Sequence, residues 1–176
     1  MKPVIELAGK KVLVVGLART GIATALFCAE RGAHVTATEA RPEREIAEAA
    51  AKLRAAGMTL ELGGHRAETF AEQDLIVPSP GVPPTMGALA AARAIGVPVW
   101  SEIELAWRFL RGRLICITGS NGKTTTTSLI GHILETAGLP VQVAGNIGTP
   151  LISRVDLSSE SSFTVVEASS FQLEYI

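Results

Sequence analysis

Twice in this chain an apolar run rich in β-branched residues stops at a glycine and gives way to a segment of helical period. The first run is Val12-Leu13-Val14-Val15, ended by Gly16; the second spans residues 114–118 and is ended by Gly119. Uninterrupted apolar strands of this kind are buried on both faces, which happens in parallel sheets flanked by helices. The pattern therefore points to an α/β fold of βαβ units. After Gly16 a helix is expected over about 20–31, with Ile22, Ala25, Leu26 and Ala29 on its core side, then a strand over 34–38. Pro42 sits well at the first turn of a second helix, running to about residue 56 before Gly57. Further strands are expected at 58–62, 75–77 and 97–100, with a helix near 85–95.

Ser101-Glu102-Ile103-Glu104 has the spacing of a capping box and opens a new helix. The strand–turn–helix pattern then restarts, with strands at 114–118, 141–143 and 163–167 and a helix at 123–137. A domain boundary is expected near residue 102. Residues 1–102 read as a Rossmann-like domain with a parallel sheet, and 103–176 as the start of a phosphate-loop α/β domain. Three strands make a small parallel sheet with exposed edges, so this second segment reads as cut short.

Charge and composition exclude several classes. Sixteen basic residues against 17 acidic ones give a net charge of −1, no reason to expect nucleic acid or an anionic membrane as partner. No apolar run reaches the roughly 18 residues needed to span a bilayer. Met1-Lys2-Pro3-Val4-Ile5-Glu6 lacks the apolar core of a signal peptide. Cys28 and Cys116 lie in apolar stretches without metal spacing, so a reduced, cytoplasmic location is expected. His34, His65 and His132 fall on separate elements and read as structural or surface residues.

The strongest chemical signal is Gly119-Ser120-Asn121-Gly122-Lys123-Thr124-Thr125, between a strand and a helix. Its glycines let successive N–H groups face phosphate oxygens, and the helix N-terminus adds partial positive charge. Lys123 would reach the terminal phosphates of a bound nucleotide, and the hydroxyl of Thr124 or Thr125 would ligate Mg²⁺. The usual phosphate loop has Gly where this chain has Ile117, so the loop is shorter than the common one. A second signal, Gly16-Leu17-Ala18-Arg19-Thr20-Gly21 with Glu39 at the end of the next strand, is similar to a dinucleotide fingerprint. Ala18 replaces its middle glycine and adds a methyl where a pyrophosphate approaches most closely. Ser79-Pro80-Gly81 and Gly145-Asn146-Ile147-Gly148 follow strands at their carboxyl ends, the side where open α/β sheets bind ligands. Glu167 ends an apolar strand, where a second carboxylate helps hold Mg²⁺ in phosphate-loop enzymes.

These five motifs, in this order and spacing, resemble the Mur ligases of peptidoglycan synthesis over essentially the whole chain. Within that family, Ser79-Pro80-Gly81 and the segment from Glu167 through Ser169-Ser170-Phe171-Gln172-Leu173-Glu174 favour the branch that joins D-glutamate to UDP-N-acetylmuramoyl-L-alanine. The resemblance implies an ATP- and Mg²⁺-dependent ligase, monomeric, working through an acyl phosphate. It implies a UDP-substrate domain at 1–102 and the beginning of the ATP-binding central domain at 103–176. Carried onto this chain, Arg19 and Thr20 hold the UDP moiety, Glu39 and Arg41 lie near the uracil, and Ser79 and Gly81 line the same pocket. Gly119 through Thr125 form the ATP loop, with Lys123 and Glu167 catalytic and Thr124 and Glu167 at the metal. Asn146, Ser169 and Gln172 fall on the muramoyl-alanine side. The family often has Asp-Thr-Arg where this chain has Glu39-Ala40-Arg41. Its downstream His, carbamylated Lys and D-glutamate domain are not among these 176 residues, which are therefore expected to bind without completing the reaction. Two other readings remain: an NAD-dependent dehydrogenase built on residues 16–21 and Glu39, and a nucleotide-binding module without catalysis.

Overall fold

In a computed structural model, residues 5–176 are described; the start of the N-terminal stretch read above, Met1 to Val4, lies outside them. The chain divides into two compact units, Ile5–Glu102 and Ile103–Ile176.

The first unit contains β1 (Lys11–Val15), α1 (Arg19–Glu30), β2 (His34–Glu39), α2 (Ala47–Ala55), β3 (Thr59–Leu62), α3 (Ala67–Ala71), β4 (Leu75–Pro78) and α4 (Gly87–Ala94). Its sheet has the order β3-β2-β1-β4 with every pair parallel. That order grows outward from the first strand, as in half of a Rossmann fold. Val12 to Val15 are completely buried at its centre, which is why this strand reads as an unbroken apolar run. Cys28, on the core side of α1, is buried and its thiol is pushed up to about 12, chiefly by desolvation. It behaves as a small hydrophobe.

Two expectations for this unit are corrected, and one element is added. The helix opened by Pro42 is a 3-10 turn, Glu43–Glu45, separated from α2 by Ile46, whose backbone leaves the helical region (φ −132°, ψ 27°). Ile46 is buried; the chain turns there to bring its side chain inward, and helix continuity is lost. The stretch at 97–100 forms no named strand; it makes one parallel bridge, Val99 with Ile76. The short helix α3 has no counterpart in the expectations, since five residues are too few for a helical period to show.

The second unit contains most of α5 (Glu102–Phe109), then β5 (Arg113–Ile117), α6 (Lys123–Thr136), β6 (Val141–Gly145) and β7 (Phe163–Glu167). Its sheet order is β5-β7-β6, all parallel. The last strand in sequence is thus the central one, and it is the most buried of the three. Two 3-10 segments, Leu151–Leu157 and Ser170–Tyr175, follow β6 and β7.

Candidate functional site

Polar groups gather at the carboxyl ends of both sheets. In the first unit, β1 runs into a turn that is held from three directions. Gly16, at φ 87°, donates its N–H to the Thr38 carbonyl at 2.8 Å. The Ser79 hydroxyl donates to the Gly16 carbonyl at 2.8 Å. Glu39 Oε2 accepts the Leu17 N–H at 2.8 Å. A methyl placed on Gly21 would stand 1.8 Å from the Gly16 carbonyl oxygen, so only glycine lets the start of α1 close over the end of β1.

Glu39 is the hub of this end. It also accepts from Arg41 Nη2 at 2.9 Å and from the Arg41 N–H at 3.1 Å. The Arg41 guanidinium bond is the main reason its pKa falls from the ordinary 4.5 to about 2; burial opposes this, and the two backbone N–H donors reinforce it. Its carboxylate is therefore engaged by its own chain, unlike the acidic residue of a dinucleotide fold, which serves the ribose. Arg19 is exposed in the first turn of α1 and Thr20 follows it half-buried. Arg41 and Gly81 are exposed, and Ser79 is buried. Thr38, buried beside Glu39, meets His65 Nδ1 at 2.8 Å. Nothing in the spacing of His65 announced that contact.

In the second unit the Gly119 to Thr125 loop joins β5 to α6. Gly119 (φ 144°) and Gly122 (φ 74°) supply its two positive-φ bends, and Gly122 caps α6 without a side-chain bond. The first-turn N–H groups of this 14-residue helix thus have no capping side chain, which suits an anion. Lys123 Nζ turns back on the loop and donates to the Gly119 carbonyl at 2.7 Å and the Ser120 carbonyl at 3.4 Å. Thr125 is exposed one position beyond Thr124.

The strand order carries Glu167 to this loop. Glu167 pairs in register with Ile117 of β5 on one side and with Gly145 of β6 on the other. It is only 4% exposed, yet Thr124 Oγ1 donates to its Oε2 at 2.7 Å. Gly145 allows this packing, since a Cβ there would lie 2.3 Å from the Glu167 carbonyl oxygen. Thr124 and Glu167 present two hard oxygens side by side. That is a usual protein share for Mg²⁺, whose remaining positions go to water and phosphate. Among the described residues no group of three or more His, Cys, Asp or Glu could hold a metal. The donor pair fits a phosphate-bound Mg²⁺ better than an all-protein metal cage.

Asn146 is tied to the same residue twice: its backbone N–H donates to the Glu167 main-chain carbonyl at 2.9 Å, and its Nδ2 donates to the carboxylate Oε1 at 3.4 Å. Ser169 and Gln172 cap each other: the Gln172 side chain accepts from the Ser169 N–H at 2.9 Å, and Ser169 Oγ accepts the Gln172 N–H. The structure thus brings Thr124, Asn146 and Glu167 together, keeps the Lys123 ammonium on its own loop, and gives Ser169 and Gln172 a local bond with each other.

Two family descriptions match the chain: "Mur ligase MurD-like, N-terminal domain" over residues 10–101 and "Mur ligase middle domain" over residues 117–175. The UDP-N-acetylmuramoylalanine–D-glutamate ligase of Acidobacterium capsulatum is 53% identical over 170 residues, covering 97% of this chain and 37% of that protein. The ligase of the same name from Koribacter versatilis is 50% identical over 172 residues, with 98% and 38% covered. The chain therefore spans a little over a third of the length of these curated relatives. Among solved structures, a murein peptide ligase from Psychrobacter arcticus superposes with a TM-score of 0.52 at 23% identity, covering 93% of this chain and 39% of that one. A pseudomurein peptide ligase type C from Methanothermus fervidus gives 0.51 at 23% identity, covering 92% and 33%. The structural likenesses speak to the fold alone.

Proposed function

Because this chain belongs to the Mur ligase family, we propose that it carries the nucleotide-sugar unit and the phosphate loop of a ligase joining D-glutamate to UDP-N-acetylmuramoyl-L-alanine. In this reading the first unit binds the UDP moiety through Arg19, Thr20, Glu39, Arg41, Ser79 and Gly81. The second binds ATP through Gly119 to Thr125, and Asn146, Ser169 and Gln172 face the muramoyl-alanine. In the same reading the protein works as a cytoplasmic monomer. Separately, among the described residues no helix is long and apolar enough to cross a membrane.

The observation that carries the proposal is the placement of Glu167 against Thr124 beside Lys123 and an uncapped helix N-terminus. A carboxylate resists attack by an amine because it offers no leaving group. Activation requires a carboxylate oxygen to attack the γ-phosphorus of ATP, giving an acyl phosphate and ADP. The amine then attacks the acyl carbon and inorganic phosphate departs with the activated oxygen. The protein must bring two anions together and offset their repulsion. Lys123 Nζ exchanges the Gly119 and Ser120 carbonyls for terminal phosphate oxygens, while the helix N–H groups take further phosphate oxygens. Mg²⁺, when bound, supplies charge neutralisation between the phosphates. Thr124 and Glu167 would hold it, and Asn146 keeps the Glu167 carboxylate aimed at the loop.

Calorimetry on the 176-residue chain tests this reading with UDP, Mg·ATP and NAD. UDP binding is expected, with weakening when Arg19 is replaced by Ala. In a full-length version, Lys123→Ala should remove ligase turnover by a factor of about 100 or more, as expected for loss of a charge aimed at the transferred phosphoryl group. Binding of NAD with no response to UDP would favour a dehydrogenase and overturn the proposal.

A further inference from the structure

The carboxyl end of the first sheet carries a polar contact that the proposed recognition of UDP leaves unused. Thr38, the next-to-last residue of β2, is fully buried. Its Oγ1 lies 3.2 Å from the Gly64 carbonyl oxygen and 2.8 Å from His65 Nδ1. A threonine hydroxyl has one proton, and a carbonyl oxygen can only accept. Both contacts are satisfied together only if Thr38 donates to Gly64 and His65 Nδ1–H donates to Thr38. The imidazole also stands edge-on to buried Phe70, with centroids 6.3 Å apart and planes at 87°.

The residues just before His65 grip the neighbouring position. The Gly63 N–H reaches the carbonyls of Glu39 at 2.9 Å and Arg41 at 3.0 Å, and the Gly64 N–H reaches Glu39 at 3.2 Å. Residues 63–65 therefore lace together the Thr38 side chain and the backbone of Glu39 and Arg41. Glu39 in turn holds the Leu17 N–H and the Arg41 guanidinium. Its Oε1 carries one bond among the described residues, from the Arg41 N–H, and keeps capacity for another donor. A small swing of the Glu39 backbone would move that oxygen and the guanidinium together.

We infer that His65 is a positioning residue for nucleotide recognition: through Thr38 it fixes the end of β2 and so the direction in which the Glu39–Arg41 pair meets a nucleoside diphosphate. The inference rests on the reading of this unit as a UDP-binding one. The pair favours a base edge that offers an N–H, as uracil does at N3, over one that offers a lone pair there, as cytosine does. Loosening the pair therefore costs discrimination as well as affinity.

Three variants of the 176-residue chain separate the hydrogen bond from the packing. His65→Phe keeps an aromatic ring beside Phe70 and loses the donor. His65→Asn loses the ring and keeps an N–H near the Nδ1 position. Thr38→Val removes the bond from its other end. Kd for UDP and CDP is read by calorimetry, and thermal unfolding is followed in parallel. His65→Phe and Thr38→Val should each weaken UDP binding about fivefold, the size of one lost hydrogen bond, and narrow the UDP-over-CDP preference. His65→Asn should lower the unfolding temperature yet keep UDP affinity within about twofold of the parent, since its donor survives. Unchanged UDP affinity in His65→Phe or in Thr38→Val overturns the inference, as does an Asn variant that binds as weakly as the Phe variant. If the parent chain fails to bind UDP, the reading of the unit falls and the inference with it. A binding parent with indifferent variants removes the inference alone.

Discussion

Glu39 shows how much one side chain does at the end of a strand. It satisfies the Leu17 N–H at the turn after β1, and it holds Arg41 at the surface. Its folded pKa lies at about 2 against an ordinary 4.5, so on acidification the unfolded chain takes up this proton first. The carboxylate's contribution to stability is complete above about pH 4.5 and fades as the pH falls toward 2. Glu39→Gln should cost about 1–2 kcal/mol at neutral pH, a range kept low because Arg41 is solvated. Urea unfolding measured across pH should show the parent and variant curves converging at the acid end. A constant gap down to pH 2 would mean the carboxylate is not the source of the difference. Lys123 follows a different logic. Its ammonium bonds to loop carbonyls, which offer partial charge only, so phosphate oxygens can displace them without breaking an ion pair.

At the scale of elements, local signals were legible and contacts set by strand order were not. β7 stands at Phe163–Glu167, where its apolar run placed it, because a strand buried on both faces must be written in apolar residues. The glycine turns at 16–21 and 119–122 were equally readable, since positive φ and close approach demand glycine wherever the fold puts them. The bonds from Asn146 and Thr124 to Glu167 could not be read from spacing. They arise because β7, last in sequence, slots between β5 and β6. The 97–100 run failed as a strand because only Val99 finds a partner in Ile76. One signal was present and unread: Ser169-Ser170-Phe171-Gln172 has the S-x-x-Q spacing of a capping box, and the structure forms it. Ser169→Ala should destabilise the 3-10 segment by about 1 kcal/mol, with Ser169→Asn or Ser169→Asp restoring most of it. Denaturant midpoints would check this, and an Asn variant no better than Ala would show that the cap contributes nothing there.

For the molecule as a whole, charge and surface act together. The net charge is −1 and the isoelectric point about 6.3, so near that pH little repulsion keeps chains apart. Leu129 and Ile133, one turn apart on α6, are 55% and 56% exposed, an apolar stripe on an otherwise polar helix surface. Solubility should pass through a minimum near pH 6.3, and Leu129→Lys with Ile133→Glu should raise it there; turbidity against pH measures both. Solubility unaffected by the pair would locate the association elsewhere. The closed turn at Gly21 has a further, genetic meaning. Any missense change of a glycine codon adds at least a β-carbon, and here that carbon meets the Gly16 carbonyl at 1.8 Å. Under the proposed function, position 21 is thus a natural source of loss-of-function alleles in the first unit, as Lys123 is in the second. Strains carrying one allele of each kind, crossed or co-expressed, would reveal whether an intact first unit on one polypeptide can serve an intact second unit on another.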